Sequence, residues 1–383
     1  NYVSVPNNVG TPLVVHLVST GPRVATVPDS VTIPVGTYYA YFPVTAQDTL
    51  GTIQIQASAT GYSPAAMNVQ VTAPKFLIST SAQLNTTSAA QNITVYAADA
   101  NGVTHYTTEN VAVTLTSSAP GVAAIDSGTV TIPAGQYSVS TATWKPGIVG
   151  TAQLQAADAR AAYYRYNPAA FTVAVITPTL SFSTPGYLGL GQYQDYNFVA
   201  APDYQSAPLT VTLSHSGATR TAVYDNLTVT PIASVVIPTG SYYEYFRLAG
   251  ASVGVDTLVA SASVPAHNAA TAYTVVTAGR VDPIMGWPVT LAAGDSAAVT
   301  LYARDSVQNA HNLLNATTWT LAPNANIQFT SGGATSTVIT SVTIPADQQS
   351  VTFYVRGVAA GTGNATLTAT NYHSYSNIVT VTP

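Results

Sequence analysis

The chain has 383 residues, of which 47% are hydrophobic and only 7% are charged, with a formal net charge of −5 and no cysteine. This apolar content excludes a disordered chain, and the ten Lys and Arg residues form no basic patch for nucleic acid. The lack of cysteine excludes disulfides and thiolate sites. No apolar run approaches the ~18 residues of a membrane-spanning helix, and the short runs rich in Val, Ile, Thr and Tyr are typical of β-strands.

One phrase, Val-x-Ile-Pro followed by a short turn, recurs four times along the chain. Its prolines are spaced by 99, 105 and 107 residues, at Pro34, Pro133, Pro238 and Pro345. A repeat of this length corresponds to one small domain, so we predict four domains. Proline cannot donate a ladder hydrogen bond and belongs at a strand end, and the Gly two residues later in three copies favours a tight turn.

Residues 1–73 form the first predicted domain. Residues 10–20 are predicted as a strand, residues 31–42 carry the motif, and residues 67–72 are predicted as a closing strand. Residues 51–59 alternate cleanly with a period of two, as a half-buried strand should. In the aromatic run after Pro34, Tyr39 and Tyr41 share one face, and Tyr38, Ala40 and Phe42 share the other. One face is expected in the core and the other on the surface.

Residues 74–177, 178–278 and 279–383 repeat this order with a further strand in front. In the second domain, the predicted strands cover residues 75–80, 92–98, 111–116, 130–135, 150–156 and 171–176. About seven short strands in about a hundred residues are the pattern of an immunoglobulin-like sandwich, and no helix is predicted. Because the junctions are one or two residues long, we expect an all-β chain of four tandem immunoglobulin-like β-sandwiches in an elongated rod.

The first domain is N-terminally incomplete. About 60 residues precede the motif proline in each of the other domains, whereas only 33 precede Pro34. No opening strand like residues 75–80 is found, so an unpaired sheet edge is expected. Two explanations stay open. In the first, the chain, which begins with Asn1 and not Met, is a processed form or a piece of a longer array. In the second, another subunit supplies the missing strand.

The order of an Asp-x-Asn-Gly turn at 99–102, VTIPAG at 130–135 and GTAQLQA at 150–156 resembles the bacterial immunoglobulin-like tandem repeats of large surface proteins and invasin-type adhesins. The resemblance covers nearly the whole chain. It implies an extracellular or cell-surface location and a stalk, adhesin, filament or enzyme-appendage role, since such modules serve all four. VTIPAG also occurs in Calx-β modules, but their acidic calcium-binding strands have no counterpart here.

Residues for catalysis are sparse. The chain has two Glu, Glu109 and Glu244, and its six His form no HxH or HxxxH pair, so we expect no enzyme and no cofactor. Asp99 and Asn101 offer oxygen ligands for calcium in one turn, although an Asx-turn that closes a hairpin is the competing interpretation.

The 24 tyrosines are the unusual resource, because Tyr combines an apolar face with a polar tip. We predict an exposed contact patch near Arg160 and further contacts at the two aromatic runs, with the residues Tyr163, Tyr164, Arg165, Tyr166, Tyr38 and Tyr242. Of the five Asn-x-Ser/Thr sequons, the three expected in loops are candidate glycosylation sites: Asn85, Asn226 and Asn315.

These features predict an extracellular structural or assembly protein, such as a stalk, a filament or a surface-layer subunit. Strand addition at the incomplete first domain would join neighbours. The alternative is an adhesin or carbohydrate-binding array that uses exposed tyrosines. The expected partners are further copies, other surface proteins or glycans.

Overall fold

The computed structural model describes residues 1–160, 166–282 and 284–383, and every regular element among them is a β-strand. The chain divides into two units, Asn1–Ile176 and Thr177–Pro383. Each unit contains two separate hydrophobic cores enclosed by β-sheets, which we call sandwiches 1 and 2 in the first unit and sandwiches 3 and 4 in the second. The all-β prediction is therefore confirmed. No described segment is a helix that could extend across a lipid bilayer.

Sandwich 1 has eight strands, β1 (Tyr2–Ser4), β2 (Leu13–Ser19), β3 (Ala25–Thr26), β4 (Ser30–Ile33), β5 (Tyr39–Tyr41), β6 (Thr45–Ala46), β7 (Gly51–Ser58) and β8 (Ala65–Val71). One sheet has the order β4-β2-β7-β8, and the opposite layer consists of the pairs β1–β5 and β3–β6. All of these pairs are antiparallel.

Sandwich 2 has nine strands, β9 (Lys75–Ser79), β10 (Gln83–Asn85), β11 (Gln91–Ala98), β12 (Val111–Ser117), β13 (Ala123–Ile125), β14 (Thr129–Ile132), β15 (Ser138–Pro146), β16 (Gly150–Asp158) and β17 (Ala169–Ile176). Its sheets have the orders β10-β17-β16-β12-β14 and β13-β15-β11-β9. We call β9 and β10 the leading strands. The first pairs antiparallel with β11, and the second pairs parallel with β17.

Sandwich 3 has the same arrangement of nine strands, β18 (Ser181–Ser183), β19 (Tyr187–Gly189), β20 (Gln192–Ala200), β21 (Leu209–His215), β22 (Thr221–Asp225), β23 (Ser234–Ile237), β24 (Tyr243–Gly250), β25 (Gly254–Ser263) and β26 (Ala266–Thr277). Its sheets have the orders β19-β26-β25-β21-β23 and β18-β20-β24-β22. Its leading strands are β18, antiparallel to β20, and β19, parallel to β26.

The last sandwich, sandwich 4, contains β27 (Thr290–Ala292), β28 (Ser296–Tyr302), β29 (Asn312–Leu313), β30 (Thr317–Pro323), β31 (Ile327–Thr330), β32 (Val338–Ile339), β33 (Ser341–Ile344), β34 (Ser350–Gly357), β35 (Gly361–Thr368) and β36 (Tyr375–Thr382). Its first leading strand is reduced to bridges from Arg280 to Arg304 and from Met285 to Thr300, and β27 pairs parallel with β36. The exception is β29, which pairs with β20 of sandwich 3.

The repeated phrase forms the same turn in all four sandwiches. The backbone N–H three residues after each motif proline donates to that proline's carbonyl, at 3.1, 3.0, 3.1 and 3.3 Å in chain order. The residue two after the proline has a φ of +77°, +78° and +79° in the three glycine copies and +62° at Asp347. The Ile before each proline is fully buried, as period-two alternation requires. The motif thus ends a core strand and turns the chain into the opposite sheet.

Candidate functional site

Within residues 1–73, all of which the structure describes, no strand matches the leading strands of sandwich 2. In sandwich 2, the leading strands cover the outer edges of β11 and β17. The matching strands of sandwich 1 are β1 and β8, and no described residue forms a ladder pair with the outer edge of either. We call these two outer edges the open edge. Unpaired N–H and C=O groups on such an edge can accept another strand.

The open edge leaves part of the core of sandwich 1 uncovered. The hydrogen bonds Val5 N–H to Tyr38 O and Ala97 N–H to Tyr137 O align β1 with β11, so Val3 matches Val95. Likewise, Val69 and Val71 of β8 match two fully buried valines of β17. The four residues of sandwich 1 are only half-buried, whereas their counterparts in sandwich 2 are 0–2% exposed: Val95, Ala97, Val173 and Val175.

In sandwich 3, the same edge is covered from two sides. β18 pairs with the last residues of β20, from Phe198 to Ala200. At the other end of β20, Gln192 and Tyr193 pair with β29 of sandwich 4. Two strands therefore share this edge of β20: β18 of the same sandwich lies beside the residues that match β1, and β29 of sandwich 4 lies beside the start of β20.

Side-chain contacts also stabilise this junction between sandwiches 3 and 4, within the second unit. The Gln192 amide, which is fully buried, donates to the Arg304 carbonyl at 2.9 Å and to the Tyr372 hydroxyl at 3.2 Å. The Arg247 guanidinium lies 3.8 Å from the centre of the Tyr193 ring and is bonded to Asp195.

The same junction includes a bond from the Tyr193 hydroxyl to Asp347 at 2.8 Å. Burial raises the pKa of Tyr372 to about 12, with the Gln192 contact opposing it. Gln192 and Tyr193 are thus paired across the boundary between the sandwiches, which favours one arrangement of the two.

The aromatic run of sandwich 1 places its tyrosines outside. Ala40 and Phe42 are buried, whereas Tyr39 and Tyr41 are exposed on the opposite face of β5. Their rings pack edge-to-face at 5.4 Å, and Tyr2 of β1 joins them at 6.2–6.3 Å. Tyr38 lies at the turn, 50% exposed.

Sandwich 3 carries a second tyrosine cluster at the start of β24. Tyr242, the residue before β24, is 42% exposed and packs against Tyr204 at 5.2 Å. Tyr243 and Tyr245 continue the cluster with a ring distance of 5.0 Å but are half-buried. The predicted contact residues Tyr38 and Tyr242 are therefore both accessible at the surface.

Most of the predicted contact patch lies outside the described residues, namely Tyr163, Tyr164 and Arg165. The fourth member, Tyr166, is half-buried and stacks on the buried Phe76 ring at 4.7 Å. The prediction that it is exposed is wrong, because the ring extends the core of sandwich 2. The nearby Arg160 is bonded to Asp158 and Glu109.

The calcium candidate is a closed turn. One Asp99 carboxylate oxygen accepts the N–H groups of Asn101 and Val103 at 2.8 and 3.0 Å, and the other contacts His105 at 3.3 Å. Burial opposes ionisation of Asp99, but these hydrogen bonds lower its pKa below the ordinary value. The Asx-turn interpretation describes this geometry. Among the described residues, no group of three His, Cys, Asp or Glu could hold a metal ion.

The three candidate glycosylation residues differ in setting. Asn315 is exposed in a bend before β30, and Asn226 lies in the turn after β22. The Asn226 side chain accepts the Tyr196 N–H at 3.0 Å. Asn85 is part of β10 and pairs with Ile176, so its placement in a loop is wrong. Asn315 is thus the most accessible of the three.

No protein-family model and no curated protein matches the chain. Similar solved structures include the S-layer protein SbsC, 13% identical over 96% of this chain and 47% of that one, with a TM-score of 0.31. The Yersinia pseudotuberculosis adhesin InvE is 14% identical over 61% of this chain and 69% of that one, with a TM-score of 0.22.

The alpha-2-macroglobulin of E. coli is 10% identical over 98% of this chain and 29% of that one, with a TM-score of 0.22. The chain thus spans less than half of the SbsC and alpha-2-macroglobulin chains. The S-layer protein, the adhesin and the alpha-2-macroglobulin are all similar to this chain at low sequence identity only.

Proposed function

We propose that the chain is an extracellular structural protein without catalytic activity, a stalk, filament or surface-layer subunit that associates with copies of itself or with other surface proteins. The observation that carries this proposal is the pairing of β29 with β20, which builds a strand of sandwich 4 into the sheet of sandwich 3. A main-chain connection between modules suits a protein that must keep its modules fixed. The aspartates are consistent with a structural role. The carboxylates of Asp99 and Asp305 accept hydrogen bonds within turns, and that of Asp256 accepts hydrogen bonds in a buried network.

Electron microscopy of the protein in its native material tests this function. Ordered fibres or a lattice that antibodies to the chain label on intact cells would support it. A chain that stays inside the cell, or that is monomeric at every concentration both in native material and when purified, would contradict it.

A second candidate function is binding to glycans, which the tyrosine clusters of sandwiches 1 and 3 favour. Tyr38, Tyr41 and Tyr242 present accessible rings with polar tips, the surface chemistry that stacks on sugars. A glycan array probed with the chain and with its Tyr41→Ser variant tests this candidate. Binding that the substitution leaves unchanged argues against it.

A further inference from the structure

We propose that a row of tyrosines on sandwich 3 binds a linear, uncharged polysaccharide, several sugar units of which lie along the row. We call this row the tyrosine strip, and it consists of Tyr196, Tyr245, Tyr243, Tyr242 and Tyr204. The proposal rests on binding to glycans, the second candidate function, and specifies where the glycan lies and to which chemical class it belongs.

The rings of the tyrosine strip form an unbroken row. Starting at Tyr196 of β20, successive ring centres are 5.4 Å apart to Tyr245, 5.0 Å to Tyr243, 5.0 Å to Tyr242 and 5.2 Å to Tyr204. The two end rings are 57% and 70% exposed, and Tyr242 is 42% exposed. A row that is one ring wide and five rings long matches the shape of a chain-like ligand, whereas a protein partner needs a broad surface.

One end of the strip is built around a strained residue. Tyr196 has a φ of +60°, a left-handed conformation that tyrosine rarely adopts, and it lies where the register of β20 against β24 shifts between Gln194 and Asn197. The Asn226 side chain accepts the Tyr196 N–H at 3.0 Å, and the Asn197 amide donates to the Gln194 and Phe246 carbonyls at 2.7 and 3.3 Å.

This local geometry itself indicates a binding site. Backbone strain persists only where surrounding contacts enforce it, and it clusters at sites that hold ligands. Bulges likewise re-aim side chains next to such sites. Here the bulged residue, Tyr196, carries the exposed ring at the end of the strip, in edge-to-face contact with Tyr245.

Tyrosine side chains offer a sugar two kinds of contact. The ring face packs against the apolar C–H face of a pyranose, and the hydroxyl exchanges hydrogen bonds with sugar hydroxyls. Neighbouring rings of the strip meet at 65–90°, so ring faces and hydroxyl-bearing edges both occur along it. A glycan of several units therefore gains contacts with each ring that it covers, and a disaccharide reaches only part of them.

The charges beside the strip favour a neutral glycan over an anionic one. Arg247, two residues beyond Tyr245 on the same face of β24, is already bonded to Asp195 at 2.7 Å. The sequence neighbours Glu244 and Asp203 are acidic and half-buried. Because the nearby cation is paired and the other charges are negative, a polyanion would be repelled.

Affinity electrophoresis of the full chain at pH 7 tests the class of ligand. The gels contain hydroxyethyl cellulose, galactomannan or arabinoxylan as neutral polymers, and polygalacturonate as the anionic control. We expect saturable retardation by at least one neutral polymer and none by polygalacturonate. A hexasaccharide of the retained polymer should bind at least about tenfold more tightly than its disaccharide, because it covers more rings.

Two substitutions test the strip itself. Tyr196→Asn removes the end ring, and because Asn adopts a positive φ more readily than Tyr, the variant should unfold at the same urea concentration as the unmodified chain. Its affinity for the polymer should fall about tenfold. Tyr204→Ser should weaken binding similarly from the other end. The matched control is Tyr273→Ser, on β26 of the opposite sheet and 64% exposed, which should bind unchanged.

Several results would overturn the proposal. They are no retardation by any of the three neutral polymers, equal retardation by polygalacturonate, equal affinity for hexasaccharide and disaccharide, and unchanged binding by both strip variants. A chain that binds no polymer but self-associates less after Tyr204→Ser would make the strip a contact between copies. Glycan binding that Tyr41→Ser abolishes and the strip variants leave intact would keep the second candidate function and remove this site.

Discussion

Sandwiches 1 and 3 share one aromatic run and differ in what covers it. Tyr-Tyr-x-Tyr-Phe follows the motif turn in both, and both buried phenylalanines, Phe42 and Phe246, point into the core. In sandwich 3, Phe246 packs against Phe182 of β18 with ring centres 5.5 Å apart. Sandwich 1 has no such strand, so the same sequence lies in a complete core in one place and an open one in the other.

This difference indicates that the motif determines the turn and the strand after it. How deeply the side chains of that strand are buried depends on strands that are distant in sequence. Tyr41 of sandwich 1 is 70% exposed, whereas its counterpart Tyr245 is half-buried. The next outward residue of sandwich 3 is Arg247, which is only 4% exposed and lies against the Tyr193 ring and Asp195 of its own sandwich and near Asp347 of sandwich 4.

The largest expected effect is on the two phenylalanines. Phe246→Ala should lower the free energy of unfolding of sandwich 3 by about 3–5 kcal/mol, because a closed core leaves a cavity. Phe42→Ala should cost sandwich 1 about 2 kcal/mol, because an open core can relax around the loss. Hydrogen exchange of β24 and β5 amides in increasing urea measures each sandwich separately. Equal costs would show that the core of sandwich 1 is as tightly closed as that of sandwich 3.

A comparable loss of stability is expected from a substitution at the junction between sandwiches 3 and 4. Arg247→Ala removes the cation that Asp195 binds at 2.7 Å and the contact with the Tyr193 ring. Breaking a buried ion pair from one side costs about 3–5 kcal/mol. The protection of β20 and β29 amides from exchange should fall together.

The matched control for this prediction is Arg280→Ala. Arg280 is bonded to Asp282, two residues away, and its side chain is 39% exposed. An exposed pair of this kind is worth less than about 1 kcal/mol. If the two substitutions prove equally mild, the junction is not held by Arg247.

Local pattern was sufficient to predict the strands that alternate cleanly. Residues 51–59 were predicted as a strand, and β7 covers Gly51–Ser58. Residues 75–80 were predicted as a strand, and β9 covers Lys75–Ser79. In β7, inward apolar and outward polar residues have the period of two that burial of one face imposes. β9 alternates less cleanly, because apolar Leu77 lies on the face opposite Phe76 and Ile78. Counting residues back from Pro34 predicts no opening strand within residues 1–73, and the strands described there include none that matches β9.

Short strands and the contacts between sandwiches were missed. Tyr2–Ser4 is too short for a periodic signal, although Val3 and Val5 do alternate with polar residues. Asn312–Leu313 gives no signal at all, because its pairing with β20 depends on how sandwich 4 packs. Arg247 and Gln192 are polar, so composition favours the surface for both. Their burial depends on contacts distant in sequence, with Tyr193 and Asp195 for Arg247 and with sandwich 4 for Gln192.

The smallest effect on stability is expected at one inward-facing position of matching strands. These strands, β7 in sandwich 1 and β25 in sandwich 3, both begin with glycine, at Gly51 and Gly254. Two residues later, sandwich 1 has Ile53 and sandwich 3 has Asp256, which is fully buried. The carboxylate accepts the Thr221 N–H and hydroxyl at 2.7 and 2.6 Å and contacts His215 at 3.1 Å.

Burial alone would raise the pKa of Asp256, but the hydrogen bonds from Thr221, His215 and Arg220 hold it below the ordinary value. Because its pKa is lower in the folded than in the unfolded chain, its stabilisation is complete above about pH 4 and is lost as the pH falls through the lowered value. Asp256→Asn should therefore cost sandwich 3 about 2 kcal/mol at pH 7 and flatten its loss of stability in acid.

Urea unfolding of sandwich 3 between pH 7 and pH 2, followed at β25 amides, measures both effects. The exposed Asp295→Asn variant is the control and should follow the unmodified chain. An Asp256→Asn variant as stable at pH 7 as the unmodified chain would mean that the carboxylate is no better than a neutral amide there. A loss of stability centred above pH 5 would contradict the lowered pKa.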